Sequence, residues 1–127
     1  MIQNNNSVNG ALGWILRLEG LIIFIVSLVF YHQMDMGSWK LFFLLFLFPD
    51  TGLLGYFGGK KLGAITYNSL HSYAAPLSVG FLCHLLSFPY WNYIVVIWIA
   101  HIGFDRALGF GLKYDCGFKY THLGIIR

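Results

Sequence analysis

Charged residues are what this sequence has least of: they make up 10% of its 127 residues, against roughly 25% in a soluble domain. Between Lys61 and Asp105 there is no Asp, Glu, Lys or Arg at all, a gap with room for two membrane spans of about 20 residues each. Polar faces at helical spacing, which a soluble core would show, are missing as well. No basic stripe interleaves with aromatics, so the formal charge of +3 sets nucleic acid aside as a partner. Only two cysteines occur, Cys83 and Cys116, and without CxxC spacing they argue for neither a thiolate metal site nor a disulfide framework. The N-terminal "MIQNNNSVNG" has no basic n-region, and no small-residue cleavage site follows Tyr31, so the first apolar segment is expected to be retained.

What the chain has instead is 57% hydrophobic and 19% aromatic residues. They fall into four segments, about 11–31, 39–57, 62–88 and 91–112, separated by "HQMDMGS", "GGKKLG" and "SFPYWNY". Short connections imply antiparallel neighbours, so the expected fold is all-α: a single domain over 1–127, an up-down bundle of four transmembrane helices in a lipid bilayer. Lys60, Lys61, Lys113, Lys119 and Arg127 then share one side and Lys40 stands alone on the other, which puts both termini in the cytoplasm. "YWNY", with Tyr31 and Trp39, suits an outer aromatic belt. The small residues Gly52, Gly55, Gly58 and Gly59 permit a homo-oligomer contact without requiring one.

At about 1.5 Å per residue, Arg17, Glu19, Asp50, His71, His101 and Asp105 all come to lie roughly 7–13 Å in from the cytoplasmic ends. The polar groups of all four segments thus share one layer, where they can satisfy one another inside the bundle. His101 and Asp105, four apart, project from one helix face; Asn68 and His71 share another. Arg17 and Glu19 point to opposite sides, so at least one seeks a partner on another helix or reaches the interface. Pro76 takes the helical donor from the carbonyl of Ser72, beside His71, and a carbonyl freed within a membrane has to be satisfied again by a side chain, water or ligand.

Two imidazoles and two carboxylates, His71, His101, Asp50 and Asp105, make a donor set for a divalent metal such as zinc, manganese or iron(II). Asn68 and Ser72 are placed behind these ligands, Arg17 or Arg106 is the candidate to position an anionic substrate group, and Glu19 is the candidate base. The competing reading is a structural layer of ion pairs, with Arg17 and Arg106 neutralising the aspartates in a non-enzymatic protein that binds a membrane partner. Ion or proton conduction would need a polar path to the far side, which four short segments without inverted repeats do not offer. A bis-histidine haem leaves both aspartates unexplained. The tail "KYDCGFKYTHLGIIR" is expected to lie on the headgroups with Phe118 and Ile125 down, the alternative being a fold over the mouth of the bundle.

"LRLEG", "FPDTGLLGY", "YNSLHSYAAPL", "AHIGFDRALGFGLKY" and "GFKYTHLG" in that order resemble the small bacterial membrane family catalogued as domain of unknown function 4260. The resemblance spans about Leu16 to Gly124 and implies a multi-pass protein of the bacterial inner membrane. Its motif residues here are Arg17, Glu19, Asp50, Asn68, His71, His101, Asp105, Arg106 and His122, with Tyr120 where an acidic residue is expected. More distantly, the succession "PD", "HS" and "HxxxD" is similar to membrane-bound metal-dependent hydrolases. That likeness implies metal-assisted hydrolysis of a membrane-associated small molecule through Asp50, His71 with Ser72, and His101 with Asp105. The chain departs from the hydrolase pattern in lacking a second aspartate after "FPD".

Overall fold

The computed structural model describes residues 8, 10–35 and 37–126. The amino-terminal stretch before Val8, on which the retained first segment partly rests, and Arg127, one of the charges used for orientation, lie outside the described residues. The order of elements is α1 (Gly10–His32), α2 (Trp39–Phe46), a 3₁₀ helix η1 (Phe48–Gly58), α3 (Lys60–His71), α4 (Ala74–Leu85), α5 (Trp91–Leu108), β1 (Tyr120–Thr121) and β2 (Gly124–Ile125). The chain is mostly helical; α1 packs on α5, η1 on α3, and α2 and α4 also lie against α5. Two stretches, Gly10–His32 and Trp39–Gly58, are long and apolar enough to cross a membrane, and α4 is a shorter apolar helix.

Close packing between helices is obtained by deleting side chains. At the α1–α5 crossing a Cβ on Gly103 would stand 2.8 Å from the carbonyl oxygen of Gly20, and one on Gly20 would stand 2.8 Å from that of Gly103. The two backbones therefore touch, as small residues allow in apolar helix pairs. The second contact uses a different period. Pro49 sits at the start of η1, and a helix with three residues per turn eclipses positions i and i+3, so Gly52, Gly55 and Gly58 form a side-chain-free ridge. Thr66 and Leu62 of α3 lie against that ridge, and the Thr66 hydroxyl donates to the carbonyl of Gly52 at 2.6 Å. The glycines read as open to a homo-oligomer are thus engaged, at Gly52 and Gly55, within the chain.

Two of the expected helical segments end differently, each for a local reason. The segment 62–88 is two helices, because Ser72 is extended (φ −96°, ψ 136°) and Pro76 then falls in the first turn of α4, where its missing N–H costs nothing. The last helix stops at Leu108 and not near 112, since Gly109 takes a left-handed conformation (φ 89°). The N–H groups of Gly109 and Phe110 then turn back to the carbonyls of Arg106 and Asp105 at 3.0 and 2.8 Å, the Schellman pattern of helix termination. The all-α expectation also misses the small antiparallel hairpin in the tail, Tyr120 opposite Ile125 and Thr121 opposite Gly124.

That tail folds back over the helices. Asn68 holds the backbone of Lys113 on both sides, donating to its carbonyl and accepting from its N–H, each at 2.7 Å. Arg106 donates to Nε2 of His122 at 2.9 Å, the Leu112 N–H donates to Nδ1 of the same ring at 2.9 Å, and Thr121 is fully buried. The headgroup-bound tail expected from the sequence is replaced by this docked one; Phe118 and Ile125 stay exposed, but the polar residues are spent on the helices. Burial first, and then the Arg106 charge, holds the His122 imidazole below its ordinary value of 6.5.

Two outcomes are expected from this packing. Gly103→Val should lower stability by about 1–3 kcal/mol through overpacking, read as the melting temperature in detergent; an unchanged value would mean that α1 and α5 do not meet at Gly20. Because both ring nitrogens of His122 face donors, the docked tail resists a proton that the undocked tail accepts below about pH 6.5, so docking weakens as pH falls through that value. Amide exchange at Leu112, corrected for its intrinsic rate, should accelerate from about pH 7 to pH 5.5, and equal protection across that range would contradict the account.

Candidate metal centre

Three helical elements deliver four ligand atoms to one point. Asp50 stands at the start of η1 behind Pro49, His71 is the last residue of α3, and His101 and Asp105 occupy successive turns of α5. The break after His71 leaves carbonyls without helical donors, and α5 supplies them: the Trp98 indole donates to the Leu70 carbonyl at 2.7 Å, and Arg106 donates to that of His71 at 3.0 Å. These two bonds fix the register of α3 on α5 and so the place of His71 relative to His101 and Asp105.

Nε2 of His71 lies 3.3 Å from an oxygen of Asp50 and 3.3 Å from one of Asp105. Nε2 of His101 lies 3.2 Å from the same two oxygens, and the two nitrogens are 3.1 Å apart. Both histidines are buried; Asp105 is mostly covered, and the Asp50 side chain is 43% exposed. One side of the cluster is therefore open through Asp50.

The other ring nitrogens complete the picture. Nδ1 of His71 lies 2.9 Å from the carbonyl oxygen of Tyr67, an acceptor, so the proton sits on Nδ1 and Nε2 presents its lone pair inward. The Tyr67 ring stacks on the His71 imidazole at 3.8 Å, nearly parallel. On Tyr67 rests the Lys113 ammonium, 4.6 Å from the ring centre and 3.7 Å from that of Phe118, with a hydrogen bond to the Phe118 carbonyl at 2.9 Å. Burial holds the Lys113 amine below its ordinary value. Nδ1 of His101 is buried with no hydrogen-bond partner among the described residues, and its ring packs against Phe46 at 4.9 Å, tilted by 60°.

The five contacts cannot all be hydrogen bonds. Four atoms take part, two of them carboxylate acceptors, and each imidazole can place at most one proton on Nε2. Two N–H groups 3.1 Å apart would also point their hydrogens at each other. A single cation at the centre needs no protons and satisfies all four atoms together. The two nitrogens and two oxygens all lie within 4.8 Å of one another, a grouping that could hold one metal ion.

The remaining candidate residues are placed elsewhere. Arg17 donates to the Ala107 carbonyl at 3.1 Å and lies over the Trp14 ring, tying α1 to the end of α5. Asn68 anchors the tail, and the Ser72 hydroxyl accepts from the Ala74 N–H, so neither hydrogen-bonds a ligand side chain. Glu19 lines a separate cleft with Arg106. Tyr67, Trp98 and Lys113 were not singled out by sequence reasoning. Tyr67 had a usable signal, four residues before His71 on the same face; Lys113 had none, because it arrives by the fold of the tail.

No curated protein and no solved structure matches this chain. The model of the family described as domain of unknown function (DUF4260) matches residues 14–126. Nearly the whole chain, with all four clustered residues inside the match, therefore belongs to the DUF4260 family.

Proposed function

We propose that the Asp50, His71, His101 and Asp105 side chains hold one divalent transition ion, zinc, manganese or iron(II) by donor set, in a protein that crosses the membrane four times. The observation that carries the reading is the 3.1 Å approach of the two Nε2 atoms with both carboxylates at 3.2–3.3 Å, five contacts that protons cannot all satisfy at once. Two carboxylates with two neutral imidazoles carry a charge of −2, which a divalent ion offsets. Four protein ligands close a tetrahedral site, so such an ion would supply a Lewis acid and a water of lowered pKa once a fifth position opens or the half-exposed Asp50 gives up its place. The half-exposed Asp50 is the side from which a membrane-associated small molecule can reach it for hydrolysis, with Tyr67 and its carbonyl holding the His71 ring against movement.

The membrane reading rests on the two apolar stretches together with the large apolar side chains left exposed along α1, α4 and α5, among them Ile22, Phe30, Phe81 and Ile94. On this reading α3 and α4 together make the third crossing, both termini are cytoplasmic, and the membrane is the bacterial inner one.

Purified in detergent, the protein should carry about one zinc, manganese or iron per chain, lost in His101→Ala and reduced in the near-isosteric Asp50→Asn. A metal-free protein whose melting temperature is unmoved by added zinc, manganese and iron(II) would leave the cluster as a structural ion-pair layer. Orientation is testable with the native thiols: exposed Cys116 should react with an impermeant maleimide in inverted vesicles and not in intact spheroplasts. The opposite pattern would reverse the topology.

A further inference from the structure

A second cleft, about 250 Å³ in volume, opens along the seam of α1 and α5, and Leu16, Glu19, Ile23, Tyr73 and Arg106 are among its walls. None of the four clustered ligands lines it, so a molecule bound there would be independent of the metal. Its polar groups have unused capacity. Arg106 has five N–H donors, of which one goes to His122 and one to the His71 carbonyl. No carboxylate forms an ion pair with it among the described residues. The Tyr73 hydroxyl is buried without a hydrogen-bond partner among those residues. Glu19, in the middle of the apolar α1, makes no hydrogen bond or ion pair there either.

A guanidinium and a carboxylate that share a cleft without pairing to each other are complementary to a zwitterion. Leaving both unpaired in apolar surroundings is costly, and intramembrane ionisable groups are characteristically paired or functional. The anionic end belongs at Arg106, whose fork matches phosphate oxygens, with Tyr73 as part of the wall beside it. The cationic end belongs at Glu19. A primary ammonium, which donates hydrogen bonds to a carboxylate, fits better than a quaternary one, which calls for an aromatic cage; Tyr73 alone does not form one. Leu16 and Ile23 continue the cleft as an apolar wall, and the α1 face beside it is exposed and apolar at Leu18 and Ile22, the surroundings of an acyl chain.

We propose that this cleft binds a phosphoethanolamine-type zwitterion, phosphate on Arg106 and primary ammonium on Glu19, borne on a lipid or free in solution. The full chain in detergent is titrated with short-chain phosphatidylethanolamine, with phosphatidylcholine of the same chains, and with soluble phosphoethanolamine, by thermal shift and equilibrium binding. The ethanolamine lipid should bind about tenfold or more tightly than the choline lipid, the scale of one charge-assisted hydrogen bond. Glu19→Gln should abolish that preference. Binding of soluble phosphoethanolamine as well assigns the site to the free head group, and binding of the lipid alone assigns it to the bilayer. Equal affinity for the two lipids, a preference that survives Glu19→Gln, or no binding of any of the three overturns the proposal.

Discussion

The arrangement depends on how the backbone is satisfied where α3 breaks. An extended Ser72 leaves the Leu70 and His71 carbonyls without helical partners, and in apolar surroundings an unpaired carbonyl is expensive. Trp98 and Arg106 of α5 fill both positions. A helix break that would otherwise destabilise the fold thus becomes a two-point bond between α3 and α5. It fixes where His71 stands against His101 and Asp105, and an unbroken helix would offer no free carbonyls there.

Asp50 is brought in by a different device. An eleven-residue 3₁₀ stretch is long for a helix whose hydrogen bonds are poorer than those of an α-helix. Here the tight winding aligns Gly52 and Gly55 against α3, and Thr66 stitches the two backbones together. An α-helical winding would spread those glycines by about 60° for each three-residue step, and the ridge would no longer face α3 as a line. The glycine spacing and the 3₁₀ geometry therefore support each other, and Asp50 is carried on the first turn of the result.

Much of this was legible in the sequence, and the failures have physical causes. The charge gap, the apolar runs and the depth layer pointed to the four residues that the fold brings together, because burying ionisable groups in apolar helices leaves them few places to go except toward one another. The third segment was misread as one helix since hydropathy does not register a break made by one extended residue, Ser72, although Pro76 marked its place. The end of α5 was missed because the apolar run continues past Gly109, whose left-handed cap hydropathy does not register. The tail was missed for a deeper reason: Asn68 and Lys113, or Arg106 and His122, share no periodicity, and their pairing exists only once the chain has turned back. The period-three glycines of "DTGLLGYFG" were visible but were weighed as an external contact.

Arg106 is where these separate devices meet. Its two ends of hydrogen bonding fall on the His71 carbonyl and the His122 ring, its neighbour Asp105 belongs to the four-atom cluster, and it forms part of the wall that Glu19 and Tyr73 share. A lysine could not replace it: an ammonium is a point charge on a flexible stem, whereas the planar fork holds two acceptors in fixed directions and keeps further donors free. The need for that fork follows from the chain reversal at Gly109, which lays the tail beside the last turn of α5 and gives one side chain three surroundings to serve. The residue that most looked out of place in a greasy helix is there because breaking α3, docking the tail and lining the cleft each require a fixed donor at the same spot.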